Sequence, residues 1–139
     1  MSNRNIDQGN WNNYYNRWNQ RTEIPANWRV IEAITSVIDI QGKRILEVGS
    51  ATGRDSIYLA KLGAKAYVLD YILQPLQLAS QIADKIGTEL TPIQGDAFKL
   101  PFDDNTFDFV YSQGLLEHFR NPLKLILEQK RVLKPLGLL

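Results

Sequence analysis

Glu47 lies near the end of a short apolar run, Arg44-Ile45-Leu46-Glu47-Val48, which breaks into Gly49-Ser50-Ala51-Thr52-Gly53. After Gly53 the apolar positions Ile57, Leu59, Ala60 and Leu62 fall at helical spacing. A buried strand, a tight glycine turn and a helix N-terminus in succession form the junction where open α/β sheets bind ligands, because the crevice lies beyond the carboxyl ends of the strands. The residues predict a nucleotide-like ligand there. A dinucleotide would need G-x-G-x-x-G, which the interval from Gly49 to Gly53 does not supply, and no G-x-x-x-x-G-K-[ST] occurs. A carboxylate at Glu47 repels a pyrophosphate and attracts a cation. A second place for chemistry is His118, the single histidine, directly after Glu117. Histidine suits general-base work near neutral pH, although a lone histidine in a short helix also serves as a structural or solvated residue.

The elements that must position these residues alternate along the chain. Residues 1–10 are polar, and Trp11, Tyr14, Tyr15 and Trp18 then recur at helical spacing. That aromatic face packs on the domain or closes as a lid over a ligand, and the two roles are compatible. Residues 1–24 are read as this aromatic-rich segment and residues 25–139 as one ligand-binding domain. Pro25 opens a helix whose stripe runs through Val30, Ile31, Ile34, Val37 and Ile38. The first strand follows at about 44–49 and the next helix at about 54–62, closed by Gly63. Lys65 to Leu69 is a second strand ending in Asp70. A helix over 74–86 is closed by Gly87, and a weaker, outer strand runs from Leu90 to Gln94, where Pro92 is tolerated. Phe107 to Tyr111 is a fourth strand. A helical turn is expected at 115–118, and Asn121-Pro122 caps a helix over about 122–133. Strands alternating with helices argue for a parallel sheet of βαβ units.

Composition narrows the function classes. The apolar fraction of 44% and charged fraction of 22% are ordinary for a globular domain, and a net charge of +1 makes no case for nucleic acid or an acidic membrane. Without cysteine there is no disulfide framework or thiolate metal site, and one histidine cannot build a His-rich one. No apolar run approaches the roughly 20 residues that span a bilayer, and no secretory h-region stands at the N-terminus. The expectation is a cytoplasmic domain with no metal, no nucleic-acid partner and no membrane partner.

Glu47-Val48-Gly49-Ser50-Ala51-Thr52-Gly53 resembles the E/D-x-G-x-G-x-G signature of class I S-adenosylmethionine-dependent methyltransferases. Further landmarks agree in order: Asp70 closing strand two, Gly95-Asp96-Ala97 after strand three, Leu100-Pro101-Phe102-Asp103 before strand four, Phe107-Asp108-Phe109-Val110, and Arg131-Val132-Leu133-Lys134-Pro135. The resemblance covers about residues 40–139 and points to the small-molecule methyltransferases of that family. It implies an α/β, Rossmann-like three-layer sandwich with a mostly parallel sheet. S-adenosylmethionine is the implied cofactor, S-adenosylhomocysteine the product, and a small-molecule O, N or C nucleophile the methyl acceptor. Glu47 would orient the cofactor's amino-acid end, while Gly49, Ser50 and Gly53 let the backbone approach. Asp70 would accept both ribose hydroxyls, with capping of the next helix as its other reading. Asp96 would take the adenine amino group, or cap a turn, and Ala97 would donate to the ring from its backbone. Tyr71 would stack near the adenine or ribose, Ser112 would line the methionine side, and His118 is a candidate catalytic base. Methyl transfer needs little beyond alignment, so a base is optional.

The sequence departs from the family pattern at Ala51, which stands in place of the middle glycine and is tolerable if its φ is negative, and at Leu136, which stands where glycine is usual. The apolar residues Leu138 and Leu139 are the only trace of strand five in this reading. The expectation is therefore four strands in the order 3-2-1-4, truncated before strands five to seven, in a chain that is either a fragment of a longer protein or a homo-oligomer through an exposed strand-four edge. The alternative to an active methyltransferase is a catalytically incomplete cofactor-binding domain without turnover.

Overall fold

In the computed structural model, which describes Asn13 and residues 26–139, the alternating pattern becomes one parallel sheet with helices packed on it. The elements are α1 (Trp28–Val37), β1 (Arg44–Val48), α2 (Arg54–Lys61), β2 (Lys65–Asp70), α3 (Leu73–Ile86), β3 (Thr91–Gln94), β4 (Phe107–Tyr111), a 3₁₀ turn (Leu116–His118), α4 (Leu123–Val132) and β5 (Leu133–Leu138). The strand order is β3-β2-β1-β4-β5, with every neighbouring pair parallel. Strands buried on both faces read as continuous apolar runs, which is why β1 and β4 stand out in the sequence.

Alternation along β1 sends Ile45 to one side of the sheet and Leu46 and Val48 to the other. Ile45 joins Ile31 and Ile34 of α1, Leu59 of α2, Phe109 and Tyr111. Leu46 and Val48 join Leu69, Leu100, Phe107, Val110 and Val132, on the side that α4 covers. Ile45, Leu46 and Val48 are all at zero exposure, and burial at this level stabilises by about 1.5–3 kcal/mol per side chain. Glu47 alternates with Leu46 and so shares the face of Ile45, beneath α1 and α2. Of the expected stripe on α1, Ile31 and Ile34 are buried, whereas Val37 is exposed and Trp28 rests on the Tyr58 ring at 5.3 Å. Gly87 closes α3 at φ +75, and the Asn121 side chain accepts the N–H of Leu123 at 3.1 Å.

Two stretches that sequence comparison singles out separately turn out to bind one another. The Arg131 guanidinium donates to the carbonyls of Phe102 (2.8 Å) and Leu100 (3.0 Å) and to the Asp104 carboxylate (2.8 Å), and is held bidentately by Glu128. Glu128 in turn accepts the Leu100 N–H at 2.8 Å. Asp104, which reads as a plain loop residue, is thus part of a clip between α4 and the loop before β4.

The C-terminal end corrects the expectation of four strands. β5 follows α4 without a loop: Leu133 is already extended at φ −81, ψ 133, and Pro135 drives Lys134 out of the helical region. β5 lies beside β4 with Phe107 opposite Leu133 and Phe109 opposite Leu138, so several residues bulge out across from one. Pro135 has no N–H for the ladder, and Leu136 turns into the left-handed region at φ +66, fully exposed. The edge of β4 is therefore occupied within the chain. Oligomer formation through a bare β4 edge is withdrawn, and the sheet's edges are β3 and β5.

Candidate cofactor site

The turn after β1 is built from backbone that ordinary residues avoid. Gly49, Ala51 and Gly53 have φ of +70, +51 and +59. The N–H groups of Gly49 and Ser50 both donate to the Leu69 carbonyl, at 2.8 and 3.0 Å, and the Gly53 N–H closes the turn on the Ser50 carbonyl at 2.8 Å. At Gly53 a Cβ would lie 2.9 Å from Val68 Cγ1, and at Gly49 one would lie 2.8 Å from Leu115 Cδ1. Only glycine fits Gly53, because the neighbour there is the sheet itself. The condition set for Ala51, a negative φ, is not met. Its left-handed backbone costs about 1–2 kcal/mol, and its N–H is held by Asp70 Oδ2 at 2.8 Å.

Three buried carboxylates surround this turn. Glu47 Oε2 accepts hydrogen bonds from Ser56 Oγ at 2.5 Å and from the Tyr111 hydroxyl at 3.0 Å, and the two hydroxyls are 2.7 Å apart. Register explains this trio: Tyr111 is the cross-strand neighbour of Glu47, and Ser56 sits at zero exposure on the face of α2 that meets the sheet. Asp55 accepts the Asn27 N–H at 2.6 Å and Gln113 Nε2 at 2.7 Å, tying the start of α1 and the segment after β4 to the first turn of α2. Asp70 accepts the N–H groups of Ala51 and, at 2.9 Å, Ile72, one on each oxygen. Every donor to these carboxylates among the described residues is neutral. Burial pushes the Glu47 carboxyl up to about 7 against the pull of Ser56 and Tyr111, and the charges of Asp55 and Asp70 add to the rise. Burial likewise raises Asp70, opposed by its backbone N–H donors. The same trio holds the Tyr111 hydroxyl well above its ordinary range, through burial first and then the Glu47 charge.

The remaining expected residues lie on adjoining loops. The Gly95 N–H donates to the Asp70 carbonyl at 3.0 Å, which places Asp96 and Ala97 next to the end of β2. Asp96 Oδ1 accepts the Phe98 N–H at 3.0 Å, so it caps its own turn while remaining half-exposed. Tyr71 is exposed, and its carbonyl accepts Gln94 Nε2 at 3.2 Å. Ser112 is half-buried, directly after β4. His118 ends the 3₁₀ turn, and the Phe119 ring beside it meets Phe98 edge-on at 5.1 Å. The 95–98 and 115–119 segments therefore share one side of the site, whereas no hydrogen bond to Glu47, Asp55 or Asp70 comes from His118. Trp11, Tyr14, Tyr15 and Trp18 fall outside the described residues. Sequence reading missed Ser56, Tyr111, Asp55 and Gln113 as site residues, and Leu115 as the lid over Gly49. The available signals were a serine and an aspartate in the first turn after the glycines, and a polar tip ending an apolar strand.

A doubly wound sheet with a glycine turn at its strand ends, beside three buried acids whose donors among the described residues are neutral, has the architecture of a nucleotide-type cofactor domain. Residues 46–139 match the family described as "Methyltransferase domain". This chain belongs to the class I S-adenosylmethionine-dependent methyltransferases. It is 36% identical over 112 residues to the demethylmenaquinone methyltransferase of Renibacterium salmoninarum, covering 79% of this chain and 44% of that protein. It is 35% identical over 97 residues to a ubiquinone biosynthesis O-methyltransferase of Vibrio cholerae serotype O1, covering 69% of this chain and 40% of that one. Among solved structures, a SAM-dependent methyltransferase from Aquifex aeolicus superposes with a TM-score of 0.66 at 27% identity, over 76% of this chain and 58% of that chain. The chain spans less than half the length of these curated relatives.

Proposed function

We propose that this chain binds S-adenosylmethionine at the β1–α2 turn and presents its methyl group to a small-molecule nucleophile, with a phenolic or quinol-type acceptor as the leading candidate. The observation that carries the reading is the set of buried carboxylates, Glu47, Asp55 and Asp70, with neutral donors among the described residues, around a glycine turn at the strand ends. When bound, S-adenosylmethionine supplies an electrophilic methyl on a sulfonium cation. Asp70 is assigned to the ribose diol, with acceptor capacity left after the N–H groups of Ala51, Ile72 and Tyr71. Asp96 and the Ala97 N–H are assigned to the adenine edge, Tyr71 to its face, and Ser112 to the amino-acid side. Gly49, Ser50 and Gly53 shape the floor, and Glu47 and Asp55 supply the negative field that favours a cation. His118 is assigned to the acceptor's proton. An N-terminal aromatic lid from Trp11, Tyr14, Tyr15 and Trp18 completes the proposal. It is supported by the Asp55 bond that fastens the start of α1 beside the turn.

The quinone-type acceptor rests on the names of the two curated relatives, which modify demethylmenaquinone and a ubiquinone precursor. Among the described residues no helix is long and apolar enough to cross a membrane, and a cytoplasmic location belongs to the proposal. Transfer of labelled methyl from S-adenosylmethionine to catechol- and naphthoquinol-type acceptors tests it. Label appearing in the acceptor supports the reading. Saturable cofactor binding with no transfer to any acceptor class would leave a binding domain without turnover.

A further inference from the structure

The Glu47–Ser56–Tyr111 trio has a property that ordinary cofactor contacts do not need. Its carboxylate oxygen lies under the glycine turn, is shared by two hydroxyls from two different elements, and is shut off from water. The groups around it oppose one another: the charges of Asp55 and Asp70 push the carboxyl up, and the hydroxyls of Ser56 and Tyr111 pull it down. From α2 come Ser56 and Asp55, from β4 Tyr111, and from β2 Asp70, while α1 presents the apolar Ile31 and Ile34 to the same cluster. No basic side chain donates to Glu47, Asp55 or Asp70 among the described residues. Because Ser56 and Tyr111 are 2.7 Å apart and either can donate to the other, the trio can accommodate two charge states of Glu47 without moving the backbone. With the carboxyl neutral, one hydroxyl can point to the other. With it ionised, both can turn to Oε2.

We propose that Ser56 and Tyr111 are positioning residues that hold Glu47 as a charge relay beneath the cofactor, so that the cationic methyl donor is taken up with release of a proton from the Glu47 carboxyl. The proposal rests on the S-adenosylmethionine reading above. In the step, the Glu47 O–H bond breaks, the proton leaves to solvent, and the carboxylate left behind accepts both hydroxyls and faces the incoming positive charge. The product S-adenosylhomocysteine lacks the sulfonium charge, so the same carboxylate favours donor over product. Exchange of spent cofactor for fresh is then built into the trio.

The test is calorimetric titration of S-adenosylmethionine and S-adenosylhomocysteine into the chain at pH values below, at and above about 7. Paired buffers of different ionisation enthalpy count the protons released. The sulfonium charge lowers the amino group of S-adenosylmethionine relative to that of S-adenosylhomocysteine, so the ratio of their affinities is read against its course in Glu47→Gln. The expected ratio in favour of S-adenosylmethionine rises about tenfold as pH climbs through the transition and then levels off. Up to one proton per site is released on the low-pH side. Glu47→Gln is expected to keep only the change that the ligands' amino groups cause, with no proton released from position 47. Tyr111→Phe keeps the ring but removes a donor to the ionised form, so the midpoint moves to higher pH, and Ser56→Ala moves it the same way. A ratio that follows the same course with pH in the unaltered chain and in Glu47→Gln overturns the proposal. An unmoved midpoint in both hydroxyl variants overturns their positioning role. Failure of both ligands to bind at every pH is a different outcome, which overturns the cofactor reading and this inference with it.

Discussion

Among the described residues, Glu47 and Asp70 at the carboxyl ends of β1 and β2 and Asp55 in the first turn of α2 accept hydrogen bonds from neutral groups, whereas Asp104, Asp108 and Glu128 on the β4–α4 side each face a basic side chain. Asp104 and Glu128 lie 2.8 and 2.7 Å from Arg131, and Asp108 lies 3.1 Å from Lys134. The Arg131 guanidinium holds the Glu128 carboxyl below the usual carboxylate range. Burial pushes Asp108 upward, but the Arg44 N–H and the Lys134 ammonium together bring it below that range. Glu47 and Asp70 move the other way. The same residue types thus serve two ends. Where the fold needs a loop fixed, it supplies the counter-charge from its own chain. On the proposed reading, the positive charge beside the three buried acids is supplied by the cofactor.

The largest expected effect that breaks this contrast is at Asp70. Replacing it with alanine removes a charged acceptor for two ribose hydroxyls, and at about 1.5–3 kcal/mol for each such bond the affinity for S-adenosylmethionine falls about a thousandfold. Calorimetry reads that loss directly. Glu47 gives a pH signature in the absence of cofactor. Its folded-state value of about 7 lies above the ordinary 4.5, so between these values the native state keeps a proton that the unfolded chain has lost. Stability is therefore full at the acid end of that window and falls by about 3 kcal/mol as pH rises through it. Urea melts should show this slope in the unaltered chain and not in Glu47→Gln, which is then the more stable of the two at alkaline pH.

On the paired side the effect is structural. Arg131→Met dismantles the clip on Leu100, Phe102 and Asp104 and should lower stability by about 1–2 kcal/mol, since the pair is partly exposed. The ratio of S-adenosylmethionine to S-adenosylhomocysteine affinity should not change with it. The smallest effects concern backbone. Ala51→Gly and Leu136→Gly, at φ +51 and +66, should each stabilise by up to about 1 kcal/mol, whereas Gly53→Ala should destabilise by about as much or more. Thermal melts of the three variants check the signs.

The contrast also explains what was legible in the residues. β1 and β4 are apolar runs interrupted by Glu47 and Asp108 and could be read directly, as could the capping role of Asp70, which accepts the Ile72 N–H. β5 was not legible because Pro135 and Gly137 read as a stop signal, and only pairing with β4 turns the stretch into a bulged strand. Ser56 and Tyr111 were not legible as partners of Glu47, because their meeting depends on the parallel register of β1 with β4 and on which face of α2 meets the sheet. The Arg131 clip was visible as two separate motifs, and distance in sequence concealed that they are one contact.

On the proposed reading, S-adenosylmethionine supplies the positive charge beside Glu47, Asp55 and Asp70. Calorimetric titration of the chain with S-adenosylmethionine, alongside Asp70→Ala, tests it most directly. The account predicts saturable one-to-one binding by the unaltered chain and its loss in the variant. No heat of binding, or equal binding by both proteins, would contradict it.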